Sequence, residues 1–410
     1  MTAPIEALLV PIGSSGDVLP FLAIGRALQQ RGGRVAVLAN EWFADPVRRA
    51  GLDLLPFGSS EEYLSVISAR GPGQLLRTAR KLAHDTTHGL CGAVEAAASP
   101  RTIVVSHTLA FGARIAAEKL GLKSVTAHLA PAVFDSAEEP AVLPGFFNSD
   151  LRPRWYKRGV RFFFQRAADA VWGGSVRNLR RKLRLPPERP SHEGRKRSSL
   201  ALFPDWFAPP QRDWPEGTTL TGFPLYDDPG APDVPADLAS FLETAPIVFT
   251  PGSGQVNERG FFEVAIEASR KLGRRALLLT RFRQQLPEEL PAHVRHAPFV
   301  PLGALLPRAA AIVHHGGIGT CAQALAAGTP QLVRPWGFDQ LDNATRLSRL
   351  GVGLTLRPRQ FTSAAVERSL RQLLESPEVA RRCRDASRLQ QAGDAAASAC
   401  AAIERAATAN

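Results

Sequence analysis

One stretch of the sequence, residues 313–343, has the composition of an anion-binding turn: VHHGGIGTCAQALAAGTPQLVRPWGFDQLDN. An apolar run ends at two histidines, a glycine-rich turn follows, and a helix is predicted to begin at about Thr320. The backbone N–H groups of a helix N-terminus bind phosphate well when no side chain blocks the approach. A plain strand–helix turn capped by a threonine is the alternative. The candidate donors are His315, Gly316, Gly317, Gly319 and Thr320.

Two polar residues, Asp339 and Gln340, follow the next apolar run of the same stretch. Neighbouring parallel strands end at one edge of their sheet. The sequence therefore predicts that these two side chains lie beside the glycine turn.

Short apolar runs alternate with helical stretches in both halves of the chain, which predicts parallel strands joined by crossover helices. A chain of 410 residues exceeds what one hydrophobic core usually fills, so two domains are expected. The segment YDDPGAPDVPADL is rich in Pro, Gly and Asp, as linkers are. We predict an α/β chain of two facing Rossmann-like domains with an interdomain cleft. The expected boundaries are 1–226, a linker at 227–240, a second domain at 241–385, and a C-terminal helix at 386–410 that packs back on the first domain.

Residues 313–343 resemble the donor-binding motif of the family 1 glycosyltransferases, which have the GT-B fold. The resemblance implies that the His–Gly–Gly turn holds the diphosphate of a nucleotide sugar. It also implies that Asp339 and Gln340, with Trp336 beside them, hold sugar hydroxyls. Domain 241–385 is then expected to bind the donor, and domain 1–226 the acceptor.

The same resemblance implies three further donor contacts outside that stretch. Phe299, followed by Val300, stands where the family has an aromatic residue that stacks on the nucleobase. The turn TPGSG matches a second phosphate contact of the family and points to Ser253.

Gln323 departs from the family pattern, in which UDP-sugar enzymes usually have a Glu that contacts both ribose hydroxyls. A deoxyribose has only one of those hydroxyls, so the Gln favours a dTDP-sugar. Because a Gln side chain still hydrogen-bonds a ribose, UDP stays open.

The N-terminal turn PIGSSGDVLPF is similar to the Gly-Asp-x-x-Pro subset of the family, found in bacterial antibiotic, sterol and rhamnolipid glycosyltransferases. In that subset the aspartate, here Asp17, is the candidate general base for the acceptor hydroxyl. Alternatively, Asp17 only caps a helix predicted to begin at Val18. Ser14 and Ser15 of the same turn are expected on the acceptor side.

Family members with a base histidine often pair it with an aspartate after the fourth strand. This chain has Ser106 and His107 there and no second acidic partner. His107 and His128 end predicted strands, and a lining or structural role is favoured for both over catalysis.

The net charge of +12 is concentrated in one segment. Residues 152–197 hold fifteen Lys and Arg against three acidic residues, interspersed with aromatics, and the rest of the chain is balanced. Such a segment could meet an anionic membrane surface, attract an acidic acceptor, or only face solvent. Nucleic acid is disfavoured because no binding module accompanies the charge.

The remaining features predict a protein of the cytoplasm, with possible attachment to the inner face of the membrane. No secretory signal or long apolar run occurs, and four cysteines without a CxxC pair do not form a disulfide framework. We expect no metal, because the sequence has no DxD motif and no cluster of His and Cys, and no cofactor, because the donor is a co-substrate. The oligomeric state is not predicted.

These observations predict an inverting glycosyltransferase that acts on a hydrophobic hydroxyl acceptor. The stretch 201–227 is similar to rhamnosyltransferases of rhamnolipid biosynthesis, which favours dTDP-L-rhamnose and a hydroxyalkanoyl lipid. A UDP-glucose-dependent enzyme acting on a sterol, polyketide or phenolic compound is one alternative, and a non-catalytic partner subunit of this fold is another. A Rossmann oxidoreductase is disfavoured because GxGxxG is missing.

Overall fold

The structure is a computed structural model that describes residues 4–68, 71–134, 136–142, 153–188, 198–226, 228, 234 and 236–409. Seven of the fourteen residues of the predicted linker 227–240 lie outside the described residues, as do residues 152 and 189–197 of the basic segment. The last five linker positions, 236–240, are helical. The chain divides into two compact units. Unit 1 comprises Met1–Ala141, Asn148–Tyr226 and Asp394–Asn410, and unit 2 comprises Val142–Phe147 and Asp227–Gly393.

Unit 1 is built on a seven-stranded parallel sheet with the strand order β3-β2-β1-β4-β5-β6-β7. Apolar side chains cover its central strands on both faces, as expected for a parallel sheet between helices. The strands are β1 (Glu6–Val10), β2 (Arg34–Ala39), β3 (Asp53–Pro56), β4 (Thr102–His107), β5 (Ser124–His128), β6 (Ser198–Ala201) and β7 (Thr218–Leu220).

Helices connect these strands and cover the sheet of unit 1. One core joins β1 and β4 to the helices α4 and α5 through Leu8, Val104, Leu90 and Ile115. The helices are α1 (Ser15–Gln30), α2 (Ala44–Arg49), α3 (Ser60–Ile67), α4 (Gly71–Ala97), α5 (Phe111–Lys119), α6 (Arg154–Val171) and α7 (Gly173–Lys182).

Unit 2 is built on a six-stranded parallel sheet with the strand order β10-β9-β8-β11-β12-β13. Successive residues of β8 point into different cores: Ile247 and Phe249 into one, Val248 into the other. This period of two buries both faces of the sheet. The strands are β8 (Ile247–Thr250), β9 (Ala276–Leu279), β10 (Val294–Ala297), β11 (Ala311–His314), β12 (Gln331–Val333) and β13 (Gly353–Thr355).

The remaining helices lie in the second half of the chain. The last of them, α15, belongs to unit 1, where it packs on α1. Arg31 donates two hydrogen bonds of 2.7 and 2.6 Å to the carboxylate of Glu404 across this contact. These helices are α8 (Ala236–Leu242), α9 (Arg259–Leu272), α10 (Leu302–Leu305), α11 (Ile318–Ala327), α12 (Gln340–Arg349), α13 (Ser363–Glu375), α14 (Pro377–Gln391) and α15 (Ala395–Thr408).

The predicted class of two parallel α/β domains is confirmed. The alternation of apolar runs predicted every strand except β7, which has three residues, all half-buried, and so lacks an apolar run. Helix α1 begins at Ser15 rather than Val18, and α11 at Ile318 rather than Thr320. In the part of the chain that the structure describes, no helix combines the length and the apolar character that crossing a bilayer needs.

Candidate active site

Three turns of unit 2 meet at one edge of its sheet. The ends of β8, β11 and β12 are in register, because His314 pairs with both Thr250 and Val333. The turns TPGSG, HGGIG and PWGFDQ leave these strand ends. The structure therefore brings together the phosphate and sugar residues that the sequence predicted on separate segments.

The ring of His315 lies against the backbone of two glycines from different turns. A Cβ atom on Gly252 would lie 2.6 Å from the ring carbon Cε1, and one on Gly317 would lie 2.4 Å from Nε2. Gly252 also has a φ of +101°, which favours glycine. Desolvation lowers the pKa of His315 to about 4, so the ring is neutral near pH 7 and carries one N–H donor.

Helix α11 presents its first backbone amides beside His315. Gly317 is its N-cap residue, and Gly319 and Thr320 therefore lie in its first turn, where backbone N–H groups have no acceptor within the helix. Gly316 precedes the cap with a φ of +93°, and a Cβ there would lie 2.7 Å from the side chain of Val333. The helix N-terminus, the glycine turn and the neutral histidine together have the chemistry of an anion site, which we call the candidate anion site.

His314 shapes this turn from within the core. Its Nδ1 accepts a hydrogen bond of 3.1 Å from the N–H of Gly316, and its Nε2 lies 3.1 Å from Oε1 of Gln331. Burial lowers the pKa of His314 to about 3, which keeps the ring neutral. His314 is therefore a structural residue, whereas its neighbour His315 faces the candidate anion site.

Asn343 ties the phosphate turn to the predicted sugar residues. Its Nδ2 donates to the carbonyl of Gly316 at 3.0 Å and to Oδ2 of Asp339 at 2.7 Å. Desolvation raises the pKa of Asp339, and the hydrogen bond from Asn343 opposes that rise. The Oε1 atom of Gln340 accepts from the backbone N–H of Trp336 at 3.0 Å, which closes the turn before α12.

An exposed aromatic pair stands beside these polar residues. Trp336 and Phe338 are 43% and 72% exposed, with ring centroids 5.2 Å apart in an edge arrangement. Phe338 has a φ of +54°, a strained conformation for a bulky residue and one that often marks a functional site. Sequence reasoning missed Phe338, which no motif marked. It also missed Asn343, although its spacing of four from Asp339 on a helix would have indicated it.

The residues predicted to bind the nucleoside differ in how far their side chains are exposed to solvent. Phe299 is exposed, and the guanidinium of Arg281 lies 5.5 Å from its ring centroid. Gln323 is half-buried on α11, and Ser253 is exposed in its turn. Val300 instead packs into the core of unit 2, so only its backbone could meet a ligand.

In unit 1, Asp17 is fixed by the start of α1. Its Oδ2 accepts hydrogen bonds from the backbone N–H and the hydroxyl of Ser14, at 2.7 and 3.0 Å. Ser14 is the N-cap residue, so Asp17 caps the helix from its third position and not from the cap position that the sequence predicted. Ser15, the first helical residue, is half-buried. Gly13 has a φ of +130°, and a Cβ there would lie 2.2 Å from Asp17 Oδ2.

His107 points its Nε2 atom toward the same carboxylate. Nε2 lies 3.9 Å from Oδ1 of Asp17, beyond hydrogen-bond range. Nδ1 accepts a hydrogen bond of 3.3 Å from the N–H of Leu109, so the proton of the neutral ring sits on Nε2. Desolvation, with a smaller effect of Arg114, lowers the pKa of His107 to about 3.

His128 lies one strand further along the sheet and is held in an aromatic cluster. Its Nδ1 lies 2.9 Å from the hydroxyl of Thr108, and its ring packs against Phe134, which stacks on Trp214. Trp214, which belongs to the stretch 201–227, thus packs inside unit 1. Desolvation lowers the pKa of His128 to about 3, as for His107.

Known proteins resemble this chain over almost its whole length. Residues 7–137 match the glycosyltransferase family 28 N-terminal domain, and residues 277–403 match the erythromycin biosynthesis protein CIII-like C-terminal domain. The glycosyltransferase GtfE of Amycolatopsis orientalis is 30% identical over 364 residues, which cover 85% of each chain. The chain belongs to the GT-B glycosyltransferases.

Two further relatives of this glycosyltransferase span nearly its full length. The O-mycaminosyltylonolide 6-deoxyallosyltransferase of Streptomyces fradiae is 29% identical over 424 residues, which cover 97% of this chain and 96% of the relative. The crystal structure of the glycotransferase of kitacinnamycin has a TM-score of 0.77 at 23% identity and covers 99% of this chain and 100% of its own. These likenesses do not show the narrower resemblance to rhamnolipid rhamnosyltransferases.

The two halves of the glycosyltransferase present different chemistry. Unit 2 offers the candidate anion site with polar and aromatic side chains beside it, and unit 1 offers a carboxylate near a neutral histidine. Among the residues that the structure describes, no three His, Cys, Asp or Glu side chains group closely enough to hold a metal ion.

Proposed function

We propose that this glycosyltransferase inverts the anomeric carbon of a nucleotide sugar, with Asp17 as the general base. The observation that supports this assignment is the fixed carboxylate at the start of α1. Ser14 donates two hydrogen bonds to Oδ2, which hold the carboxylate in one orientation. A carboxylate at a strand–helix turn, half-exposed and in one orientation, suits proton abstraction from an alcohol.

His107 is proposed as a positioning residue for Asp17. Its Nε2 lies 3.9 Å from Oδ1 and the ring is neutral, so His107 limits where the carboxylate can move without competing for the acceptor proton. The family's usual order, a histidine after the first strand and an aspartate after the fourth, is reversed here.

The proposed donor half combines the candidate anion site with the sugar residues of unit 2. The diphosphate is held by the first amides of α11, by Thr320 and by the N–H of His315, with Ser253 at the neighbouring turn. Asp339 and the Nε2 group of Gln340 hydrogen-bond sugar hydroxyls, and Trp336 covers the ring. Phe299 stacks on the base, and Gln323 hydrogen-bonds the nucleoside sugar.

Transfer then takes place in a single displacement. The acceptor oxygen forms a bond to the anomeric carbon while its proton passes to Asp17. The bond from the anomeric carbon to the phosphate oxygen breaks, and its electron pair leaves with the nucleoside diphosphate. The added negative charge is stabilised by the α11 amides and His315, so no metal ion is required.

The donor we favour is a dTDP-activated 6-deoxyhexose, with dTDP-L-rhamnose as the leading candidate. Gln323 supports this choice because it replaces the Glu of UDP-sugar enzymes. A relative named a 6-deoxyallosyltransferase also supports a deoxysugar.

For the acceptor we propose a hydrophobic alcohol. O-mycaminosyltylonolide, named for the Streptomyces relative, and the hydroxyalkanoyl lipid that the sequence favours are both of this class. Transfer of glucose from UDP-glucose to a sterol, polyketide or phenolic compound is the second candidate, because Gln323 can still bind a ribose.

The experiment that tests the proposal is the variant Asp17→Asn, assayed with dTDP-rhamnose and UDP-glucose against hydroxyalkanoyl lipids and aromatic alcohols. We expect kcat to fall at least about 10³-fold, since general-base catalysis contributes about that much, while donor Kd changes little. Near-wild-type kcat in the variant would overturn the base assignment. A wild-type chain that binds donor but turns over no acceptor would favour a non-catalytic partner subunit.

A further inference from the structure

Helix α6 exposes three large aromatic side chains. Trp155, Phe162 and Phe163 are 73%, 63% and 54% exposed, although residues of this size are normally buried in a folded domain. Val160 is buried and fixes which face of the helix meets the rest of unit 1. The exposed residues recur with helical periodicity and form one continuous face, which we call the α6 face: Trp155, Arg158, Gly159, Phe162, Phe163, Arg166, Ala167 and Ala170.

The charge of the α6 face has one sign. Arg158 and Arg166 are its two ionisable residues among those that the structure describes, and both are basic. The neighbouring helix α7 adds exposed Arg177, Arg181 and Lys182. Arg180 does not contribute, because it is buried and donates two hydrogen bonds to the carboxylate of Glu118.

We infer that the α6 face docks this glycosyltransferase on an anionic lipid surface. A helix that carries Trp and Phe on one exposed face, flanked by arginines, lies in the plane of a membrane interface with its rings below the headgroups. The arginine stems can follow the rings into the interface while the guanidinium groups stay with the phosphates. Basic residues near the surface add electrostatic attraction to anionic lipids.

Charge complementarity favours lipid over a second copy of the chain. Two α6 faces brought together would bring two surfaces of the same positive charge into contact, and like charges in contact oppose association. An anionic bilayer instead neutralises the two arginines of the α6 face. The inference goes beyond the proposed reaction and does not depend on it.

The test is co-sedimentation of the full chain with vesicles, without any nucleotide sugar. One set contains phosphatidylcholine alone, and the other contains phosphatidylcholine with phosphatidylglycerol. We expect binding to the anionic vesicles and loss of that binding as NaCl is raised, because salt screens surface charge. No binding to anionic vesicles at low salt would overturn the inference.

Three double variants locate the contact. Trp155→Ala with Phe162→Ala should weaken partitioning about tenfold or more, and Arg158→Gln with Arg166→Gln should do so for anionic vesicles only. The matched control is Leu389→Ala with Arg384→Gln, an exposed apolar residue and an exposed arginine on α14, which should bind as the wild type does. Circular dichroism confirms that each variant folds.

Two results would contradict the assignment. Equal vesicle binding by all three variants and the wild type would place the contact elsewhere. A dimer in sedimentation-velocity runs that only Trp155→Ala with Phe162→Ala dissociates, with no vesicle binding, would assign the α6 face to a second copy. Turnover is not measured in this assay, so its outcome is separate from that of the Asp17→Asn experiment.

Discussion

His315 occupies the space that a side chain on Gly252 would need. The two residues come from different turns of unit 2, and the ring carbon Cε1 lies 2.6 Å from the position of a Cβ on Gly252. The orientation of the proposed phosphate ligand therefore depends on a glycine about sixty residues earlier in the chain.

The variant Gly252→Ala should displace the His315 ring and weaken donor binding. The alanine Cβ would collide with the ring, and the φ of +101° is strained for any residue with a side chain. We therefore expect the donor Kd to rise about tenfold or more. Isothermal titration with the nucleoside diphosphate measures it. Gly260→Ala in α9 is the control, because a Cβ there meets nothing within 4 Å. An unchanged Kd in Gly252→Ala would show that His315 does not bind the phosphate.

Gly13→Ala should displace the Asp17 carboxylate without removing it. A Cβ would lie 2.2 Å from Oδ2, so the carboxylate must move, and a misplacement of this size costs about 10²-fold in kcat. Donor Kd should stay the same, since this turn belongs to unit 1. Gly16→Ala is the control in the same turn, because its nearest contact would be Ser14 Oγ at 3.7 Å. Equal kcat in both variants would argue against Asp17 as the base.

His107 variants separate a positioning role from a structural one. His107→Ala should lower kcat about tenfold, leave donor KM unchanged, and move the acidic limb of the pH–kcat/KM profile upward, because the carboxylate loses a facing N–H donor. His107→Asn keeps an N–H donor and should recover part of the rate. A purely structural role predicts instead a lower thermal midpoint with an unmoved pH profile.

Gln323→Glu should shift the nucleotide preference toward UDP. A carboxylate accepts hydrogen bonds from both ribose hydroxyls, whereas a deoxyribose offers only one, so the UDP-to-dTDP ratio of kcat/KM should rise about tenfold. Gln323→Ala is the control and should lower kcat/KM for the UDP-sugar and for the dTDP-sugar by the same factor. A ratio that Gln323→Glu leaves unchanged would place residue 323 away from the nucleoside.

The stability of unit 1 should fall as the pH drops below 6.5, in part because of His128. Burial lowers the pKa of His128 from 6.5 to about 3, so in that interval the unfolded chain binds a proton that the folded chain does not. The contribution of His128 to the free energy of unfolding is complete above pH 6.5. Below that pH it falls by about 1.4 kcal/mol per pH unit. In urea unfolding at pH 7.5, 6 and 5, His128→Asn should show the shallower pH dependence. The same change of unfolding free energy with pH in the wild type and in His128→Asn would contradict the neutral, buried state of His128.

The sequence was sufficient for the architecture, and it marked most of the residues that the structure places together at the candidate site. Buried parallel strands need apolar runs, and the glycine turns had to be glycine because His315 and Asp17 fill the space around them. The half-buried strand β7 and the caps of α1 and α11 were missed or misplaced, since capping depends on geometry that several neighbouring Ser, Gly and Thr residues could satisfy. No local pattern marked Phe338, and the approach of His107 to Asp17 emerges only when β1 and β4 lie side by side.

The return of α15 to unit 1 has a consequence for biosynthesis. The helix buries Ala399, Cys400 and Ile403, and Glu404 receives Arg31 from the first helix of the chain. A ribosome makes Arg31 early, but its partner emerges only after all of unit 2 has been synthesised. Unit 1 therefore completes its fold only after unit 2 has been synthesised, and until then the α15-binding surface of α1 stays uncovered.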